Sequence, residues 1–600
     1  MACGGFFCQN VPIDQSGEEI LFGVNPDTGR VQATIRIFYQ GDAKDFAWVL
    51  PMPNVPEIST SSDLVFQRLR AASNPSFQVE WKEGAECANW FISPPQADAG
   101  TGGGAEDGGG GVQVLDSGQV GPYDFAVVQS DDAQALINWL NENDFDQPAA
   151  STPLIENYVA QKMVFVALKL QQDKGSGDIT PVVLDFAEEA PCVPIVLTQI
   201  AAQPNMPVTV WVASTARVVP NNWFEVEPNW KKLDWLGGGS NYNQLVTDAV
   251  NEAAGRAFVT EYAGSTSLLT NAFLSPGQYD LQKLANVAGP VEFVLEVQAQ
   301  FSQGSATLLA ILREFVPMPQ SAIDDGVSES AFYSWPTEYQ AYYDQIEFDA
   351  LAATDAVDER IVTPLQSAQD MVDGYPYLTR LFTTLSPDEM TRDPIFKLNS
   401  EIGDVSNVHV AKGTAVCDPN NNTIVDIEIE LPGGEKFAPM LPPWGWGGEN
   451  YTPDDVSGES DAASIWLVPE SGERFLVSPE NVDYADNQLN LKTAEQVISD
   501  LGGPVSGEEG GDGGESADDG GESAGEGSSG EGSTGEGAGE GSTGEGSGEG
   551  SAGEGGGSGS GDGGGSDSGD DGDGGCNTGG HGSWFAGLAL AALFFRRRRS

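Results

Sequence analysis

VQATIRIFYQGDAKDFAWVLPMP, Val31 to Pro53, is the stretch that decides the fold class. Val31, Ala33, Ile35, Ile37 and Tyr39 alternate with Gln32, Thr34, Arg36 and Phe38, and a period of two places one set of side chains on each face of a half-buried strand. The next apolar run, Phe46 to Leu50, follows Gly41-Asp42, so the reading is a hairpin closed by Pro51 and Pro53.

Outward from this hairpin the pattern mixes both periods. Ser130 is placed to cap a helix whose Ala133, Leu136, Ile137 and Leu140 share one face, with Trp139 at its flank and a break before Pro148. Met163 to Leu170, Pro181 to Phe186, Ile195 to Ile200 and Val208 to Ala213 read as successive strands, and Asn243 to Ala254 as a helix. Tyr377 to Leu385 reads as a helix, and Ser386-Pro387-Asp388-Glu389 as the start of another, with Pro387 in the first turn. Thr423 to Leu431 is the last clear strand. Without a regular βαβ rhythm, this is α+β: mixed sheets with several helices. The expected divisions are 1–400, an α+β ectodomain carrying a glycine-rich surface insertion at 100–111, and 401–501, a smaller β-rich part.

Composition changes sharply after that. Gly503 to Gly575 holds 33 glycines in 73 positions, 19 acidic residues and no Lys, Arg or aromatic residue. Such a segment buries no apolar surface, so 502–575 reads as a disordered, self-repelling acidic Gly/Ser/Glu linker. The formal net charge of the chain is −63, and −48 remains upstream of the linker. That excludes electrostatic binding to nucleic acid or to an anionic membrane as the main activity. Loose divalent cations on the spacer are the remaining ionic partner, although Asp567 to Asp573 lacks the spacing of a calcium loop.

The last segment, 576–600, has one cysteine, Cys576, then Trp584, Phe585, Leu588, Leu590, Leu593, Phe594 and Phe595 within an apolar run, then Arg596, Arg597, Arg598 and Arg599. Twelve apolar residues make a helix of about 18 Å against about 30 Å of hydrocarbon. The transmembrane-like helix, 583–595, therefore crosses a bilayer only if preceding residues join it, with the arginines kept on the cytoplasmic side. The alternative is an amphipathic or core helix, which the lack of a polar face disfavours. The order of cysteine, small polar spacer, short apolar helix and arginine cluster resembles the MYXO-CTERM sorting signal of myxobacterial and related surface proteins. That resemblance implies processing by a sorting protease, attachment at Cys576 and display at the cell surface or outer membrane, with the helix in the membrane before processing. Export also needs an N-terminal signal; Met1 and Ala2 lead straight into Cys3, so the expectation is that a signal segment lies upstream of the given start.

Between these ends, CGGFFC at Cys3 to Cys8, YQGDAKDFAWVLPMP at Tyr39 to Pro53, ALINWLNEN at Ala135 to Asn143, FVALKL at Phe165 to Leu170, NQLVTDAVNEAAGRAFVTEYAG at Asn243 to Gly264 and YPYLTRLFTTLSPDEMTRDPIF at Tyr375 to Phe396 resemble the bacterial family catalogued as domain of unknown function 2330. The resemblance spans about Cys3 to Asp500 and implies exported bacterial proteins with no catalytic residues to carry over.

The residues themselves give little chemistry. His409, between Val408 and Val410, reads as a structural residue of a strand, and no G-x-S-x-G elbow accompanies it. Gly237-Gly238-Gly239-Ser240 before a helix has the look of an anion loop but lacks the P-loop lysine, so it reads as an ordinary loop with Ser240 or Asn241 as cap. Trp211, Trp223, Trp230 and Trp235, and Trp444 with Trp446, stack on sugars if exposed and pack the core if not; packing is the reading taken. Of the six cysteines, Cys3 and Cys8 are close enough to form a disulfide; no C-x-x-C spacing points to metal. No cofactor, catalytic residue or metal ligand is assigned. The expected function is an exported surface protein with a structural or interaction role in the envelope, the alternative being a carboxylate-dependent enzyme on extracellular polymers.

Overall fold

The alternation at Val31 does form a strand, Arg30–Gln40, but its hairpin partner precedes it. A computed structural model describes residues 5–6, 14–40, 43–44, 46–82, 103–104, 113–143, 145, 149–171, 179–188, 190–301, 304–417, 424–440 and 451–503. Asp14–Asn25 pairs antiparallel with Arg30–Gln40, in a register that sets Ile20 opposite Ile35 and Phe22 opposite Ala33. The turn between them ends at Gly29, whose φ of +60° is the left-handed region glycine enters at least cost. Ala47–Met52 goes instead to another sheet, between Gly5–Phe6 and Val164–Leu170. All six of its residues are buried, so it has no solvent face of the kind a half-buried hairpin strand shows.

Two sheets and two sets of helices make four layers. The larger sheet runs, from one edge, Phe475–Leu476, Ala462–Leu467, Phe224–Pro228, Ala257–Ser265, Tyr377–Leu385, Met206–Ser214, Asp14–Asn25, Arg30–Gln40, Val182–Ala187 and Glu57–Thr60. Its pairings are antiparallel except for two, Met206–Ser214 with Asp14–Asn25 and Phe224–Pro228 with Ala257–Ser265, which are parallel. The smaller sheet adds Tyr123–Gln129 and Gln113–Val120 beyond Val164–Leu170. Period two sorts the side chains. Ile20, Phe22, Val208 and Val210 meet Trp48, Leu50, Val166 and Leu168 in a core between the sheets. Opposite faces serve the helices: Val49, Phe165 and Ala167 pack against Ala133–Glu142 and Thr152–Ala160, while Leu21, Trp211 and Leu378 pack against Asp63–Ser73, Pro290–Gln300, Ala306–Phe315 and Thr363–Asp373. Each fully buried side chain of this size contributes about 1.5–3 kcal/mol.

A further core forms where Tyr242–Glu252 covers Phe224, Val226 and Val259. A four-stranded sheet of Lys436–Phe437, Ile424–Glu430, Val408–Cys417 and Ser76–Trp81, and the helices Val482–Leu489 and Ala494–Asp500, close it. The chain divides into the units Met1–Glu508 and Glu509–Ser600, and the layers above belong to the first.

The α+β class stands, and several local readings are corrected. Tyr377–Leu385 is a strand rather than a helix, and buried at every position but the first; cover on both faces releases a central strand from alternation, and Leu378, Leu381, Phe382 and Leu385 fall at helical spacing. Ile195–Thr198 is one helical turn rather than a strand, with Ile195 in one core and Val196 and Leu197 in the next, so burial on all sides again erased the period. Ser386 to Glu389 does not start a helix; the Ser386 N–H donates to the Glu389 carboxylate at 2.5 Å and the turn closes on itself. The Ala133–Glu142 helix is capped by Asp132, which accepts from the Gln134 amide at 2.9 Å, rather than by Ser130, and Trp139 is buried. The 502–575 linker beyond Gly503, the 583–595 helix, Cys576, the basic cluster, Cys3 with Cys8, and the Trp444 and Trp446 pair lie outside the described residues. Among the described residues no helix is long and apolar enough to cross a membrane.

Candidate functional site

Two parallel strands that part company open the site. Phe224–Pro228 and Ala257–Ser265 pair only at Phe224 with Ala257 and Glu225 with Phe258, and a cavity of about 580 Å³ lies where they diverge. One wall is Glu225 to Pro228 with Trp230 behind, the other Val259 and Thr260; the 401–405 loop closes one end. That loop is tied to the second wall, with the Ala263 and Val405 amides each donating to the other's carbonyl at 2.9 and 2.8 Å. Trp466 arrives on Ala462–Leu467, opposite Glu225 in register, and Arg474 from the connection just before Phe475–Leu476. Divergent strands leave room that a continuous ladder would fill, which is why the space falls inside a sheet.

Glu225 is the hinge of the charge arrangement. Its carboxylate accepts from Arg217 Nη2 at 3.1 and 3.0 Å, from Thr260 Oγ1 at 3.2 Å and from Arg474 Nη1 at 2.8 Å. Arg474 Nη1 also donates to Glu227 at 2.8 Å, its guanidinium lies 4.5 Å over the Trp466 ring, and Arg217 Nη1 donates to the Gly403 carbonyl at 2.6 Å. The side chains of Arg217 and Glu225 are 4% and 3% exposed. A buried carboxylate between two guanidiniums is expensive to desolvate, and hydrogen bonds from every side are what make it tolerable. Asp486 repeats the pattern elsewhere, accepting from Arg256 at 2.6 Å and from Arg392 at 2.7 Å.

His409 stands beside the cavity on Val408–Cys417, opposite Phe77 in the parallel register. Its ring stacks on Phe77 at 5.0 Å and tilts toward Trp230 at 5.1 Å. Burial holds its pKa below the usual imidazole range. Phe77 also touches Trp235 and Tyr242, which makes an aromatic box at the back of the cleft. At the rim Tyr377 donates to Asp404 at 2.6 Å; burial first and that carboxylate second push the phenol up, so it stays a donor.

The glycine loop beneath the box already holds its own anion. Asp234 accepts from the Gly237 amide at 2.8 Å and from Ser240 Oγ at 2.6 Å, and the Gly239 amide donates to the Asp234 carbonyl at 2.8 Å. It is the ordinary loop expected. Asn241 sits at the cap position of the Tyr242–Glu252 helix, but its side chain turns back, accepting from the Asp234 amide and donating to the Lys232 carbonyl, both at 2.8 Å.

The two carboxyls that burial raises do not line the cleft: Asp393, pushed up to about 6, is held by the Tyr158 hydroxyl at 2.8 Å and the Val196 amide at 2.9 Å, and Glu389 belongs to the Ser386 turn. Among the described residues no group of three or more His, Cys, Asp or Glu side chains is placed to hold a metal ion. Trp211, Trp223 and Trp235 are buried packing residues, as read, whereas Trp230 is half-buried and lines the cleft. His409 and Trp230 were therefore visible as candidates. Arg217, Glu225, Trp466 and Arg474 were not, since no local spacing joins segments from 217 to 474; the register signal of Phe224–Pro228 against Ala462–Leu467 exists only in the fold.

An α+β unit of four layers, with a ligand-sized cleft between diverging strands and a histidine packed against aromatic rings beside it, defines the class of protein. The chain belongs to the bacterial family of domain of unknown function 2330, described as an uncharacterized protein conserved in bacteria, which matches residues 1–308. Both walls of diverging strand lie inside that match, and the 401–405 loop, Trp466 and Arg474 lie beyond it. No curated protein and no solved structure matches the chain.

Proposed function

We propose that the chain is an exported cell-surface protein whose folded unit binds a component of the bacterial envelope or its surroundings. The cleft carries this reading: it has the volume of a small-molecule site, about 300–1,000 Å³, and its central carboxylate is engaged by two arginines and a hydroxyl. A group so engaged shapes a wall and is poorly placed to move protons, which favours binding over the carboxylate-dependent enzyme. Cys417 is disulfide-bonded, and disulfides persist in oxidising compartments, which supports export. In this proposal the acidic spacer holds the unit off the surface, the 583–595 helix rests in the membrane until a sorting protease acts, and Cys576 carries the attachment.

Labelling intact cells with a membrane-impermeant amine reagent tests the location. Lysines of the folded unit should label without lysis, and labelling only after lysis would refute export. Mass spectrometry of the surface-displayed protein tests the tail: an intact Arg596 to Ser600 terminus would rule out processing.

A further inference from the structure

We infer that the cleft receives a neutral, polyhydroxylated ring, a saccharide; this rests on the binding role proposed above and names its ligand. Accessible donor and acceptor groups sit side by side in the cleft. The Arg474 guanidinium, 27% exposed, sends Nη1 to Glu225 and Glu227, and Glu227, 42% exposed, lines the space with Asp404 and Glu473.

The sign of the site then selects the ligand. Five carboxylates and two guanidiniums line it, so an anion meets a surplus of its own charge. A cation meets the carboxylates but offers no lone pair to Arg474. Hydroxyl groups do both, donating to Glu227, Asp404 and Glu473 and accepting from Arg474. Half-buried Trp230 supplies a flat apolar wall on which the C–H face of a sugar ring can lie, held upright by Phe77 at 5.8 Å and Tyr242 at 6.4 Å. Trp466 does not offer the face that Arg474 covers, so it serves as the backing of that guanidinium.

The test titrates the full chain with cellobiose, maltose and N,N′-diacetylchitobiose by calorimetry and tryptophan fluorescence, with spermidine and inorganic phosphate as charged comparators. At least one disaccharide should bind saturably, with affinity changing less than about 2-fold between low and high salt because no net charge is exchanged. Trp230→Leu should weaken it at least about 10-fold, the loss of one aromatic stacking face. Trp230 packs into the aromatic box, so Glu473→Gln, at an exposed rim position, is the control for misfolding and should weaken binding about 5-fold. No saturation by any disaccharide up to about 10 mM, binding of a charged comparator alone, or sugar binding indifferent to both substitutions would overturn the inference. Sugar binding by a chain that fails surface labelling refutes the proposed location and leaves the ligand standing.

Discussion

Gly238 and Gly239 are neighbours in the left-handed region, with φ of +66° and +83°, yet replacing each by alanine should have different consequences. A Cβ on Gly238 meets nothing within 4 Å, whereas one on Gly239 would lie 2.3 Å from Phe77 Cδ2. The conformational cost is common to both, about 1–2 kcal/mol for an L-residue, partly offset by about 0.4–1 kcal/mol from the stiffer unfolded chain. Only Gly239→Ala adds overpacking, about 1–3 kcal/mol. Phe77 has little room to yield, because Trp235, Tyr242 and His409 lie 5.9, 5.1 and 5.0 Å from its ring. Gly238→Ala should therefore cost about 1 kcal/mol and Gly239→Ala about 2–4 kcal/mol. Urea midpoints at unchanged slope give the two values, and hydrogen exchange of the 224–252 region shows whether the loosening is local. Equal costs for the two variants, within about 0.5 kcal/mol, would refute the steric argument.

Three other outcomes follow from the geometry. Glu225→Gln leaves two guanidiniums facing a neutral group and should cost about 3 kcal/mol, with Arg217→Met added on top restoring part of it; a silent Glu225→Gln in urea unfolding sinks the network. Burial raises Asp393 to about 6 against 3.8 for an ordinary Asp carboxyl, so the folded chain holds this proton more tightly than the unfolded one. Its stabilising contribution is complete below pH 3.8 and is lost as pH rises through about 6, and Asp393→Asn should flatten that descent in a melting-temperature profile; a parallel profile excludes it. Non-reducing peptide mapping should recover Cys417 in a disulfide-linked peptide and Cys192 as a free thiol. A free Cys417 thiol would contradict it.

What sequence pattern could and could not reveal follows from burial. Arg30–Gln40 and Tyr242–Glu252 were legible because solvent covers part of each, so polar residues mark the period. Asp14–Asn25 was passed over for the opposite reason: Gln15, Glu18 and Glu19 look like a surface run, yet all three are buried, with Glu19 pairing Arg36 at 3.0 Å and also Arg70. Tyr377–Leu385, buried throughout its length after Tyr377, misleads because Leu378, Leu381, Phe382 and Leu385 repeat at helical spacing while the buried Thr379, Arg380, Thr383 and Thr384 look like a polar face. The cleft was half legible, through Trp230 and His409, and its charged floor was hidden because ion pairs join residues whose sequence separation carries no signal.

That separation also has a consequence in time. Arg474 reaches Glu225 across 249 residues, which at 5–20 residues per second is roughly 12–50 s of synthesis. Until then Glu225 has a single guanidinium, that of Arg217, beside the Thr260 hydroxyl, and the edge strand that Arg474 precedes does not yet exist. The parallel pairing of Asp14–Asn25 with Met206–Ser214 delays the middle of the large sheet in the same way, since non-local pairings close late. A chain that waits for its last strands before it closes remains threadable while it is being made, and a prematurely ended copy has no pocket to offer.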